Sequence, residues 1–309
     1  MSVSGGLPFT KVEGLGNDFV VVDLRPERSP AATAAVAQDP AVVRAICDRH
    51  FGVGADGVLA ILPGQAGDAL MRVLNADGSE AEMCGNGIRC VAKVLYEGDS
   101  TLRKPLLRID TGAGLLECAV SVRDGLVETV AVEMGRPRFT RDEIPLAPGG
   151  TGRAVRAPIV AGGRTFLFTG VSMGNPHAVI FVDDAGADLR RLAEEYGPTL
   201  ERSPTFPNRA NIEFARLRSA ERGTEIDLVV WERGCGITLA CGTGACGTVA
   251  AACLEERLAA DQEVAVNLPG GTLFITVAAN FSGVRMRGPA TSVFTSELDL
   301  VRLAARRAA

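Results

Sequence analysis

The sequence predicts an α+β protein of two similar domains facing each other across a cleft, with the active site in that cleft. Three observations lead there. Short apolar runs bounded by Gly, Pro, Asp and Asn outnumber helical patterns. Two landmarks of the first half recur in the second at offsets that differ by a single residue. A polar residue precedes the second landmark by the same distance both times. With 309 residues, 47% of them hydrophobic, the chain has enough length and apolar content for two domains of ordinary size.

The runs FVVVDL, ALMRVL, LLRIDT, LLECAVSV, VETVAVEM, HAVIFV, EIDLVVW and TLFITVA read as strands. Helical periodicity is expected over 40–49, 85–96, 189–196 and, longest, 242–258, whereas 26–39 and 145–158 have loop composition. In GLGNDF, Asn17 follows a glycine at the start of an apolar run, and Asn175 in SMGNPH does the same 158 residues later. Cys84 in MCGNGIRC and Cys241 in LACGTGAC share a second setting, 157 residues apart. Asn75 and Glu232 each lie nine residues before their cysteine. A duplication of this kind puts equivalent elements on the two sides of a domain interface, a common place for ligand sites.

Net charge is -5 with Lys and Arg scattered, which argues against a nucleic-acid footprint. The first residues lack a signal-peptide pattern and no apolar run reaches spanning length, so a cytoplasmic location, no membrane association and reduced thiols are expected for the eight cysteines. Three lysines leave few anchors for a Schiff-base cofactor.

Each of Cys84 and Cys241 stands immediately before Gly-x-Gly, where a helix begins. Unpaired amide N–H groups and the helix dipole stabilise an anion there, which lowers a thiol pKa. Gly85, Asn86, Gly242 and Thr243 then offer backbone N–H groups to a substrate carboxylate. Inversion at its α-carbon needs a base on one face and an acid on the other, and two matched thiols supply both. Cys47, Cys118 and Cys253 lie inside apolar runs and read as packing residues; Cys90, Cys235 and Cys246 lack the position before Gly-x-Gly and read as structural. The cysteine spacings do not suit a zinc knuckle and only two histidines exist, so no metal site is expected. FGVGADG contains G-x-G-x-x-G but follows a helix rather than a strand, and reads as a turn. His177, in GNPH, and Glu232 are candidates for the chemistry; Arg233 suits a second carboxylate.

GLGNDF, GVGADG, NADGSEAEMCGNGIRC, SMGNPHAV, RANIEF, WERG, LACGTGAC and LPGG together resemble the diaminopimelate epimerase family along nearly the whole chain. The resemblance implies interconversion of LL- and meso-2,6-diaminoheptanedioate without pyridoxal phosphate or any other cofactor, with Cys84 and Cys241 as proton donor and acceptor and His177 and Glu232 assisting. It implies substrate binding by Asn17, Asn75, Asn175, Asn211, Glu232 and Arg233, and by the backbone of Gly85, Asn86, Gly242 and Thr243. It further implies a homodimer, and in each domain a strongly curved, mostly antiparallel sheet around a central helix. The C-terminal segment would return to the first domain, giving 1–133 with 289–309 and 134–288. Two positions depart from the family pattern: Gly57, where some members carry glutamine, and Ile237, where many carry glutamate. Alternatives are a racemase or isomerase of the same fold acting on another acid, and a thiol redox switch in which Cys84 and Cys241 form a disulfide.

Overall fold

The computed structural model describes residues 6–147, 150–220 and 223–305. It divides into two compact units, Met1–Val132 with Gly288–Ala309, and Glu133–Arg287. The first opens with β1 (Leu7–Gly14), β2 (Asn17–Asp23), α1 (Ala31–Ala37), α2 (Pro40–Cys47), β3 (Gly57–Pro63), β4 (Ala69–Asn75) and β5 (Glu80–Ala81). The helix α3 (Gly85–Gly98) follows, then β6 (Leu106–Thr111), β7 (Gly114–Arg123) and β8 (Leu126–Glu133). The second unit contains β9 (Ala157–Ala161), β10 (Arg164–Ser172), β11 (Pro176–Phe181), α4 (Leu189–Glu201), β12 (Asn211–Ala220), β13 (Gly223–Glu232) and β14 (Gly236–Ile237). It closes with α5 (Gly242–Leu254), β15 (Glu263–Leu268), β16 (Gly271–Val277) and β17 (Val284–Gly288). The chain then adds β18 (Thr291–Leu298) and α6 (Leu300–Ala305) to the first unit.

The two units repeat one topology. In the first, β1 pairs antiparallel with β18 and β2, β2 parallel with β3, β3 antiparallel with β4, and β4 parallel with β6. In the second, β10 takes the place of β1, pairing antiparallel with β9 and β11; β11 runs parallel to β12, β12 antiparallel to β13, and β13 parallel to β15. The antiparallel pairs β6–β7 and β7–β8 match β15–β16 and β16–β17. The equivalence holds to the residue, since Phe19 pairs with Gly57 where His177 pairs with Asn211.

In each unit the sheet is buried on both faces, which is why its inner strands are continuous apolar runs. Phe19, Val20, Val21 and Val22 are all buried in β2, because α2 and α3 both pack on the first sheet. α3 buries Ile88, Val91, Ala92 and Leu95 at helical spacing. It also buries Arg89 completely, and this cation is satisfied by the carbonyls of Gly85 (3.0 Å) and Pro289 (3.1 Å) and by Asn86 Oδ1 (3.1 Å). Arg89 therefore fastens the returning C-terminal segment to the central helix. α5 is apolar or small all round and buried along most of its length, as befits a helix inside a core.

Three helix expectations need correction. A helix forms inside 26–39: alanine-rich α1, seated on α2 and α6 with Ala37 buried. α5 stops at Leu254, because Glu256 turns to φ +58° and the Arg257 N–H folds back to Ala252 O at 2.9 Å. α4 runs on to Glu201 through Pro198 instead of ending at Tyr196. Gly197 is what brings this stretch close to β13: a Cβ there would lie 2.6 Å from Trp231 Cγ. Trp231 Nε1 donates to Glu201 Oε2 at 2.9 Å, and Glu201 Oε1 accepts from Gly234 N at 3.0 Å, so the α4–β13 contact braces the Glu232–Gly234 turn.

Gly197→Ala tests this brace. Overpacking against an anchored indole costs about 1–3 kcal/mol, against a helix-propensity gain of about 1 kcal/mol. The variant is expected to unfold at lower temperature than the parent in calorimetry; an unchanged or raised midpoint would mean that Trp231 yields freely.

Candidate active site

In the first unit the β1–β2 hairpin turns through Leu15 (φ +58°) and Gly16 (φ +83°), delivering Asn17 to the start of β2. Its amide is held at both ends: Nδ2 donates to Asp56 Oδ2 at 2.6 Å, and Oδ1 accepts from Asn86 Nδ2 at 3.3 Å. Cys84 is the N-cap of α3, where its Sγ accepts the Gly87 N–H at 3.3 Å; Sγ lies 3.9 Å from Asn17 Oδ1. Behind Asn17, Arg49 bridges Asp18 (2.6 Å) and Asp56 (2.7 Å), and Lys11 bonds Asp18 and the Gly54 carbonyl. Asn75, the last residue of β4, donates to Ser79 Oγ at 2.9 Å. The glycine at 57 has a steric reason, since a Cβ there would lie 2.7 Å from Leu74 O.

The second unit repeats the arrangement with different chemistry. Cys241 caps α5 and its Sγ accepts the Gly244 N–H at 3.3 Å. Asn175 follows Gly174 (φ +98°), and its Nδ2 donates to Thr243 Oγ1 at 3.2 Å, the counterpart of the Asn17–Asn86 contact. Thr243 Oγ1 stands 3.6 Å from Cys241 Sγ. His177 is fully buried, with Nε2 2.9 Å from Asn175 Oδ1 and Nδ1 2.7 Å from Glu213 Oε1. Asn211 Oδ1 accepts the Arg233 N–H at 2.8 Å, which turns its Nδ2 toward His177 Nδ1 at 3.4 Å. Glu232 accepts from the Thr238 hydroxyl and acts on Cys241 through its charge. The Arg233 guanidinium is exposed, with Nη1 3.2 Å from the Asn208 carbonyl. Ile237 packs against the apolar core of this unit, so an apolar residue suits its place.

The expected residues thus gather into two sets, Asn17, Cys84, Gly85 and Asn86 in one unit and Asn175, His177, Asn211, Glu232, Cys241, Gly242 and Thr243 in the other. Asn75 and the Arg233 side chain are bonded locally instead. Sequence reasoning missed Asp56 and Glu213. The signal for Glu213 was present: a carboxylate between Ile212 and Phe214 interrupts an otherwise apolar run. Glu213 is fully buried and burial raises its pKa, with His177 pulling the other way.

A helix N-terminus was expected to lower the thiol pKa. At Cys241 the result is the opposite: burial first, then the Glu232 charge, push the thiol well above its ordinary value, and the Thr243 and Gly244 hydrogen bonds only temper this. Burial likewise raises the carboxyl of Glu232. Cys47, Cys90 and Cys118 are pushed up to about 12, chiefly by burial, which suits packing residues.

A duplicated unit whose central helix is capped by cysteine defines the class: the fold is that of a set of epimerases, racemases and isomerases. It is similar to a hydroxyproline epimerase from Agrobacterium vitis with bound trans-4-hydroxy-L-proline, with TM-score 0.67 and 17% identity over 94% of this chain and 90% of that one. It is also similar to methylitaconate-delta-isomerase, with TM-score 0.63 and 15% identity over 98% of each chain. Sequence is more specific. A family model described as diaminopimelate epimerase matches residues 9–140 and 169–293. The diaminopimelate epimerase of Pelotomaculum thermopropionicum is 46% identical over 289 residues, 94% of this chain and 98% of that one. That of Synechocystis sp. is 46% identical over 297 residues, 95% and 99% of the two chains. The chain belongs to the diaminopimelate epimerase family.

Because the Glu232 charge holds the Cys241 proton in place, Glu232→Gln is expected to let Cys241 ionise at lower pH. The 13Cβ resonance of labelled cysteine, followed through a pH titration in parent and variant, reads this directly. A titration that stays put, or moves upward, rules out a charged Glu232 beside the thiol.

Proposed function

We propose that the protein interconverts LL-2,6-diaminoheptanedioate and meso-diaminoheptanedioate, with Cys84 and Cys241 as the base and acid on opposite faces of one carbon. The observation that carries this reading is the paired capping cysteine: in each unit a sulfur sits at the N-terminus of the central helix, beside an asparagine held at both ends of its amide or by a histidine. A thiolate removes the α-proton, the other thiol delivers one, and the roles exchange in the reverse direction, so the two titrate as one coupled pair. The helix N-termini at Gly85 and Asn86 and at Gly242 and Thr243 present first-turn N–H groups and suit the substrate α-carboxylate and the negative charge that develops beside it.

Glu232, whose charge acts on Cys241 and whose carboxyl is raised by burial, is suited to exchange a proton with that sulfur. His177 orders the Asn175 side. Asn17, Asn75, Asn175, Asn211 and Arg233 are assigned to substrate recognition; the exposed guanidinium of Arg233 suits the distal carboxylate, which a planar fork binds bidentately. Both proton transfers are assigned to side chains of the chain itself, so the reading calls for neither pyridoxal phosphate nor a metal. It includes a cytoplasmic homodimer, the location supported by eight cysteines in a chain too large to need a disulfide framework.

The test is deuterium entry from D2O into LL-diaminoheptanedioate, followed by NMR with reduced protein. Parent protein is expected to exchange and invert the α-carbon, and Cys84→Ala and Cys241→Ala each to lose on the order of 10²–10⁴-fold in epimerisation. Epimerisation surviving in either alanine variant would overturn the two-thiol reading. Turnover of proline or trans-4-hydroxyproline in place of diaminoheptanedioate would overturn the substrate.

A further inference from the structure

Under the topological equivalence of the two units, the buried place beneath each capping cysteine is filled differently. Phe19 corresponds to His177, Gly57 to Asn211, and, two residues along the strand, Leu59 to Glu213. The packing agrees: a Cβ at Gly87 would lie 3.1 Å from Leu59 Cδ2, and a Cβ at Gly244 would lie 3.1 Å from Glu213 Oε1. An apolar pair in one unit is thus a hydrogen-bonded His177–Glu213 pair in the other, both members fully buried.

The polarity of the hydrogen bonds around His177 is set by Asn211. The Thr243 hydroxyl can donate or accept, so Asn175 follows the ring: with Nδ1 unprotonated, Nε2 carries the proton and donates to Asn175 Oδ1, which leaves Nδ2 for Thr243. Asn211 Oδ1 takes the Arg233 N–H, so Asn211 Nδ2 faces His177 Nδ1, and that nitrogen is addressed by a donor. Glu213 Oε1 is then left to approach an Nδ1 without a proton, which a carboxylate cannot satisfy and a carboxylic acid can. Glu213 Oε2 is the one buried side-chain nitrogen or oxygen among the described residues with no hydrogen-bond partner, which makes a full charge on this carboxyl costly even though the Ala178 N–H opposes the shift.

We propose that Glu213 is a positioning residue held as a carboxylic acid, which donates to His177 Nδ1, fixes the ring proton on Nε2, and so orients the Asn175 amide toward Thr243 beside Cys241. The inference rests on the reading of Cys241 as one of the two reacting thiols. It gives the units opposite amide polarity. A carboxylate, Asp56, takes the Asn17 Nδ2 and leaves Oδ1 toward Asn86 and Cys84. In the other unit an N–H takes the Asn175 Oδ1 and leaves Nδ2 toward Thr243. The direction of the Glu213 shift, upward by burial, agrees, and the other titratable groups facing it are His177, Glu232 and Cys241.

Two variants and one spectrum decide it. Glutamine at 213 keeps an N–H donor in the acid's place, so Glu213→Gln is expected to stay within a few-fold of the parent, whereas Glu213→Leu, the residue the other unit carries at this place, is expected to lose on the order of 10²-fold in kcat/KM. Equal activity in the two variants overturns the proposal: both high makes the side chain a filler, and both low makes the charge essential. With 15N-labelled histidine and His50→Gln to leave one ring in the spectrum, His177 is expected to show a proton on Nε2 and none on Nδ1 in the parent and in Glu213→Gln, a pattern lost in Glu213→Leu. A proton on Nδ1 of the parent overturns the proposal whatever the activities. The spectrum needs no substrate, so a parent inactive on diaminoheptanedioate would overturn the substrate reading while the ring signals still decide Glu213.

Discussion

Both halves of the candidate site are built outward from one contact, a cysteine sulfur accepting the N–H three residues further on. The cap fixes the sulfur at the mouth of the helix, where N–H groups outnumber their acceptors. It also constrains the helix beneath, since the donor is glycine in each unit and a larger residue would crowd its neighbours. A Cβ at Gly87 or Gly244 would press at 3.1 Å on Leu59 or Glu213, and at 3.3 Å on the cysteine's own Cβ. The Cys-Gly-x-Gly pattern is therefore one geometric unit: the sulfur caps, and the second glycine lets the sheet approach from below.

At Cys241 two effects on the thiol compete, and their sizes decide the outcome. A helix N-terminus contributes about 0.3–1 kcal/mol, up to ~2 in buried geometries, and one pKa unit corresponds to about 1.4 kcal/mol. Full burial moves a group by up to 3–5 units. Cys241 is buried and stands beside the Glu232 carboxylate, so desolvation and like charge win over the dipole. Sequence alone supplies the dipole argument, because the cap is local. The opposing side chains arrive from β12 and β13, and their effect depends on tertiary structure.

The same distinction separates what was legible in the sequence from what was not. The capping cysteines, the asparagine turns and the duplication are written in short local strings, and they mark the two sets of residues that the fold gathers. Asp56 and Glu213 act through long-range pairing: Glu213 reaches His177 because β11 and β12 run parallel with His177 opposite Asn211, and Asp56 reaches Asn17 through the matching β2–β3 pair. Helix ends escaped for a related reason. α4 passes through Gly197 and Pro198, strong breakers by composition, because Trp231 packs over the glycine. Gly57 likewise has its explanation in Leu74 O on the neighbouring strand, outside its own segment of sequence.

Duplication gives matched sulfurs, and a two-base inversion needs them matched in position yet not in surroundings. A coupled pair that holds one proton between two thiols has no preferred starting state if both environments are alike. Here they are unlike. Cys241 stands beside Glu232 and above the His177–Glu213 pair, whereas Leu59 and Phe19 fill the equivalent places beneath Cys84. Burial and the Glu232 charge favour the protonated form of Cys241, and Leu59 and Phe19 beneath Cys84 carry no such charge. One repeated unit thus accounts for the placement of the two thiols, and the few side chains in which its two copies differ account for their different hold on the proton.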